Sequence, residues 1–109
     1  MTKTTLTQIP VDGLPLYEMQ HIFHATKPAN DVTFNYITLL PHQRVPLEGT
    51  GFHDADEYSF FVEGEVYTES GEMKTTCKAG DATLIPLGEH HWCENRTDTP
   101  CRLVCMMIK

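Results

Sequence analysis

Residues 80–95 read GDATLIPLGEHHWCEN, which sets Gly80, Pro86, Gly88, His91 and Asn95 in the order G-x5-P-x-G-x2-H-x3-N. At average residue frequencies, five fixed positions found in about 100 windows have a chance on the order of 10⁻⁵, so the pattern carries information. Gly80-Asp81 marks a turn into Ala82 to Ile85, a short β-rich stretch closed by Pro86, which has no N–H to give to a continuing ladder. Gly88 suits a position of positive φ. After it, His90 to Asn95 reads as a second strand. Its two-residue period puts His91, Cys93 and Asn95 on one face and His90, Trp92 and Glu94 on the other. One imidazole, that of His91, is thereby aimed inward.

Outward from this run, strand-like stretches occur at Leu16 to His24, Val32 to Leu40, Glu57 to Glu63, Glu65 to Thr68, Met73 to Lys78, Ala82 to Ile85, His90 to Glu94 and Cys101 to Ile108. Turn chemistry at Pro28 to Asp31, Pro41 to Gly51, Ser70-Gly71, Ala79-Gly80 and Asn95 to Pro100 separates them. Nowhere does an apolar 3.6-residue period persist for about ten residues. An all-β chain is expected. With 109 residues, 40% of them hydrophobic, and no repeat, linker or low-complexity tract, it is expected to form one domain over residues 1–109.

The formal charge of −7, with only eight Lys and Arg and no basic cluster, argues against nucleic acid as a partner. No apolar run approaches the roughly 20 residues of a membrane span, and MTKTTLTQIP lacks the charged-then-apolar layout of a signal peptide. A cytoplasmic location away from the membrane is expected. Cys77, Cys93, Cys101 and Cys105 then read as reduced, mostly small core residues. Cys93 and Cys101 flank the turn ENRTDTP symmetrically, which suggests that they face one another across a hairpin. Neither a Ser/His/Asp set nor a phosphate-cradling glycine loop can be placed, so hydrolase and nucleotide readings have no foothold.

On the strand from Glu57, period two puts Glu57, Ser59, Phe61 and Glu63 on one face and Tyr58, Phe60 and Val62 on the other. Both faces carry aromatics and need cover. A chain with no evident helix can cover its outer face with a second copy of itself, so a homodimer is expected.

The run Gly80 to Asn95 resembles the second motif of the cupin superfamily at every fixed position. The first motif of that family, H-x-H-x3(or 4)-E-x6-G, is partly kept in GFHDADEYSFFVEG, where His53, Glu57 and Gly64 take the places of the second histidine, the glutamate and the glycine. Gly51 stands where the first histidine would be, and Val45 where an upstream glycine would be. The motifs and their spacer span residues 51–95, and the flanking strands extend a looser similarity over most of the chain. The resemblance implies a single double-stranded β-helix, the cupin or jelly-roll barrel, of the small single-domain type. It also implies pairing through a sheet and a divalent metal held by His53, Glu57 and His91, the usual four-ligand cage having lost one imidazole at Gly51.

Geometry constrains how these donors meet. On one straight strand the Cα atoms of His53 and Glu57 would be about 13 Å apart, too far to share an ion comfortably. Asp54 to Asp56 must bend, either as a loop entering a strand or as one helical turn. Phe60, Phe61, Val62, Val66 and Tyr67 immediately afterwards favour the loop. Two imidazoles and one carboxylate with open positions suit Fe(II) oxygen chemistry and also accept Mn, Ni or Zn. Glu48 and His42 from the preceding loop are candidate fourth ligands, although each reads more simply as a solvated loop residue. His21, His24 and His90 read as structural or surface residues, and Asp54 and Asp56 as solvated turn carboxylates that add negative potential. Ser59, Phe61 and Cys93 share faces with the ligands and are expected to line the pocket, and Asn95 to hold the strand end.

The function expected on this basis is a small metal-dependent enzyme, dioxygenase-like or an isomerase or lyase, acting on a small organic molecule. The competing expectation is a non-catalytic small-ligand binding or sensing barrel whose metal is structural or absent. The sequence names no catalytic residue beyond the ligands, and no substrate.

Overall fold

The structure, a computed structural model, describes residues 1–6, 21–23, 28 and 30–109. Short stretches rich in Thr, Val, Ile, Tyr and Phe, broken by glycine and proline turns, become nine strands there: β1 (Thr2–Thr5), β2 (Val32–Leu39), β3 (Arg44–Val45), β4 (Asp56–Glu63), β5 (Glu65–Ser70), β6 (Met73–Lys78), β7 (Asp81–Ile85), β8 (His91–Glu94) and β9 (Cys101–Ile108). Among the described residues there is no helix, and so none long and apolar enough to cross a membrane.

The strands form two antiparallel sheets, one in the order β1-β7-β4-β9-β2 and one in the order β3-β8-β5-β6. Consecutive strands repeatedly change sheet, and the core lies between the two inner faces, around Phe61, Val66, Cys77, Cys101, Leu103 and Cys105. This is the all-β jelly-roll barrel expected from the sequence. β6 and β9 have the bounds that turn chemistry predicts, and the other expected strands in the described region differ by one or two residues at an end.

Two strands lie outside the set expected from the sequence. The residues of β1, TKTT, are polar, and they become a strand by adding to the edge of β7, with Thr2 opposite Leu84 and Thr5 opposite Asp81. β3 is two residues long within the expected Pro41 to Gly51 loop and pairs with β8. The expected strand at Leu16 to His24 lies mostly outside the described residues, and residues 21–23 of it are not in a strand.

Two sequence expectations are corrected by the pairing. The β4–β9 register runs Phe61 opposite Leu103 and then Glu63 opposite Arg102, so Val62 is the extra residue of a β-bulge. The bulge breaks the alternation. Glu63 leaves the inner face and meets Arg102, Nε to Oε2 2.8 Å. Nor do Cys93 and Cys101 face one another on a hairpin. β8 belongs to the four-stranded sheet and β9 to the five-stranded one, so the ENRTDTP turn crosses between layers.

Asn95, fully buried, organises that crossing. Its Nδ2 donates to the carbonyls of Leu39 (3.2 Å) and Thr99 (2.8 Å), and its Oδ1 accepts from Thr97 N (3.0 Å) and Thr97 Oγ1 (2.7 Å). One side chain thus ties β2 to both ends of the turn, which accounts for asparagine at the end of the second motif.

Candidate metal centre

The first motif converges because its short linker is tied down at several points. The chain bends at Asp54 and Ala55 before β4 begins at Asp56, so His53 and Glu57 are not spread along one straight strand. Ala55 is buried, Asp56 Oδ1 accepts from Leu87 N (2.8 Å), and Asp54 Oδ2 pairs with Lys109 Nζ (2.6 Å). Asp54 and Asp56 are therefore anchors of the bend and not merely solvated carboxylates. The Lys109 ammonium holds the Asp54 carboxyl below the usual aspartate range.

The P-x-G turn of the second motif completes this hold. Gly88, at φ 80°, donates its N–H to the carbonyl of His53 (2.9 Å). The glycine supplies a left-handed backbone at the point where one motif grips the other.

His91, the first residue of β8, is fixed from two sides. Its backbone exchanges two hydrogen bonds with Gly51, and its Nδ1 lies 3.0 Å from the carbonyl of Glu89. A proton on Nδ1 donated to that carbonyl leaves Nε2 as the free lone pair, the usual way of orienting a ligating imidazole. The rings of His53 and His91 stand 5.0 Å apart. One donor atom each from His53, Glu57 and His91 falls within 4.8 Å of the others. His53 is exposed, and Glu57 and His91 are half-buried.

These three residues sit on the wall of a cavity of about 610 Å³ between the sheets, and Ser59, Phe61 and Cys93 line it as well. Two neighbours of the cluster were not read from the sequence. Cys105 on β9 lies opposite Ser59 and donates its thiol to Glu57 Oε1 (3.4 Å), which only the β4–β9 register reveals. Glu89 acts through its backbone carbonyl, while its carboxylate accepts from Ser70 Oγ (2.7 Å) and pairs with the Met1 ammonium (2.6 Å). Burial, with the Glu57 carboxylate second, pushes the thiols of Cys93 and Cys105 up to about 12, so both are neutral donors at ordinary pH. All four cysteines are free thiols.

The other histidines stand apart from the cluster. His42 pairs with Asp98 on the surface (2.8 Å), and Glu48 is exposed, so neither is a fourth donor in this conformation. His90 shares a hydrogen bond with Thr50 Oγ1 (3.0 Å) and packs its ring on Phe52. His21 borders a separate depression on the outer side of the five-stranded sheet, and His24 lies outside the described residues.

Two imidazoles and a carboxylate fit a divalent transition metal in chemistry and in spacing, and fewer than four protein donors leave positions open to a ligand. A dication held there supplies a Lewis acid and, where redox-active, an oxygen-activating centre.

Comparison with known proteins places the fold in a family. The Cupin domain family profile matches residues 35–107. The protein TT1209 from Thermus thermophilus is 26% identical, with a TM-score of 0.62 over 71% of each chain. A predicted oxalate decarboxylase from Thermotoga maritima is also 26% identical, with a TM-score of 0.60 over 69% of this chain and 64% of its own, so the match spans just under two thirds of that protein. An RmlC-like cupin from Shewanella frigidimarina, at 18% identity and TM-score 0.60 over 71% of this chain and 65% of its own, shares the fold. No curated protein sequence matches the chain. With the profile covering well over half of its residues, including both motifs, the chain belongs to the cupin family.

Proposed function

We propose that this chain is a small metal-dependent enzyme acting on a small organic molecule, with His53, Glu57 and His91 holding one divalent cation. The observation that carries the reading is the convergence of the three donors within 4.8 Å on the wall of a cavity between the sheets. Iron, manganese, nickel or zinc suits the donor set, and iron makes dioxygenase-like chemistry the natural reaction class, with isomerase or lyase chemistry open to the others.

The chain's own residues have definable parts in such a reaction. The Glu89 carbonyl holds the His91 tautomer, the Cys105 thiol holds the Glu57 carboxylate, and the apolar wall packs against the body of a bound ligand. The missing side-chain donor at Gly51 favours a second reading, a non-catalytic barrel that binds a small ligand with metal structural or absent.

Elemental analysis of tag-free protein separates the enzyme reading from a barrel without metal. The enzyme reading expects about one transition metal per chain and its loss in His91→Ala with the fold retained by circular dichroism. Equal metal content in wild type and variant contradicts it.

We also propose that a second copy covers the outer face of the five-stranded sheet. Phe34 and Tyr36 on β2 are 72% and 60% exposed and lie beside Met106 and Val104 of β9. Such an uncharged strip on a chain of charge −7 is suited to meeting its like. Sedimentation is expected to show a dimer that Phe34→Glu turns into a monomer. A monomeric wild type contradicts this.

A further inference from the structure

We infer that the ligand of this cavity carries a single metal-chelating end and a short apolar body, neutral or singly negative, and is not a compact dicarboxylate. This rests on the metal reading of His53, Glu57 and His91, and adds what the rest of the wall selects.

The donors are gathered at one place. The rest of the wall includes the apolar side chains of Ile37, Leu39, Phe61, Val66 and Leu103, and the volume of about 610 Å³ is that of a small-molecule site. Cys77, Cys93 and Cys105 also line it, and cysteine behaves as a small hydrophobe with a weak donor.

Polar groups on the wall are largely engaged with the wall itself. Thr68 Oγ1 donates to the carbonyl of Trp92 (2.9 Å), and Asn35 Nδ2 to that of Cys105 (3.3 Å). Among the described residues no buried side-chain nitrogen or oxygen lacks a partner. Little in the wall therefore calls for a second polar group on the ligand.

Charge points the same way. None of the described lining residues is Lys or Arg. The ammonium of Met1, which borders the cavity, is already paired with Glu89. A second carboxylate would enter an apolar pocket without a counter-ion, in a chain of net charge −7.

A series of 2-oxo acids with one shared chelating end tests this by calorimetry on the zinc form, zinc being redox-inert. Zinc content is measured first, and a protein that takes up no zinc at His53, Glu57 and His91 contradicts the metal reading itself. On zinc-loaded protein, affinity is expected to rise from pyruvate through 2-oxobutanoate to 4-methyl-2-oxopentanoate, by up to about fourfold per buried carbon. 2-Oxoglutarate, whose tail is of similar length but anionic, is expected to bind at least about tenfold more weakly than 4-methyl-2-oxopentanoate. Asn35→Arg, on the exposed strand β2, is expected to recover about tenfold for 2-oxoglutarate without changing zinc content. Zinc uptake with 2-oxoglutarate binding as tightly as 4-methyl-2-oxopentanoate, or with no dependence on tail length, overturns the ligand class while leaving the metal reading intact.

Discussion

Gly51 and His91 exchange both of their backbone hydrogen bonds, Gly51 N to His91 O at 3.0 Å and His91 N to Gly51 O at 2.9 Å. Residues paired in this way stand directly opposite, with their side chains on the same face. The position where this chain lacks the family's first histidine is thus the immediate neighbour of His91, the histidine of the second motif.

That relationship makes Gly51→His a test of the site. A Cβ at Gly51 would meet nothing closer than Pro46 Cγ at 3.9 Å, an ordinary contact, and the backbone there is not left-handed. The variant is expected to fold and to hold its dication about tenfold more tightly or better in competition with a chelator, because a third imidazole joins the set. Unchanged affinity would show that the donors do not surround a common ion.

Gly64 and Gly88 both have positive φ, 76° and 80°, but only Gly64 is crowded. A Cβ there would lie 2.4 Å from Pro100 O and 2.9 Å from Cys101 Cα, which are backbone atoms, whereas at Gly88 it would meet nothing within 4 Å. Gly88→Ala is expected to cost about 1 kcal/mol, for the left-handed backbone alone, and Gly64→Ala about 2–4 kcal/mol. Urea denaturation showing equal losses would refute the close approach of the β4–β5 turn to Pro100 and Cys101.

Asp81 is fully buried, which pushes its carboxyl up, but hydrogen bonds from Thr5 Oγ1 and Lys78 N and the nearby Lys3 ammonium outweigh burial and hold it below the usual range. A carboxyl lowered by folding contributes stability that is complete above its ordinary value of about 4, and that is lost as the pH falls through the lower folded-state value. Asp81→Asn is expected to destabilise the protein by about 1–3 kcal/mol at pH 7, with the gap to wild type closing on acidification below about pH 4. Parallel stability curves across that range would show that the charge is not what Asp81 contributes.

Much of the barrel was legible because its turns are written in glycine and proline and its strands in β-branched and aromatic residues. β6 between Gly71 and Gly80 shows this plainly. What was not legible depends on partners far away in the chain. Thr2–Thr5 is a strand because β7 offers it an edge, and Glu63 turns outward because Val62 is bulged against β9. In the site, His53, Glu57 and His91 were readable from motif spacing, whereas Cys105 and Glu89 were not. Cys105 reaches Glu57 from 48 positions away, and Glu89 contributes a carbonyl that every residue has.

An anomalous difference map from crystals of tag-free protein, recorded above the zinc edge so that Fe, Mn, Ni and Zn all scatter anomalously, tests whether one cation sits among the two imidazoles and the carboxylate. A single strong peak per chain is expected, within about 2.0–2.2 Å of a ring nitrogen of His53, a carboxylate oxygen of Glu57 and the Nε2 of His91. A map with no peak there from protein supplied with Fe, Mn, Ni and Zn, or with its peak at other residues, would contradict it.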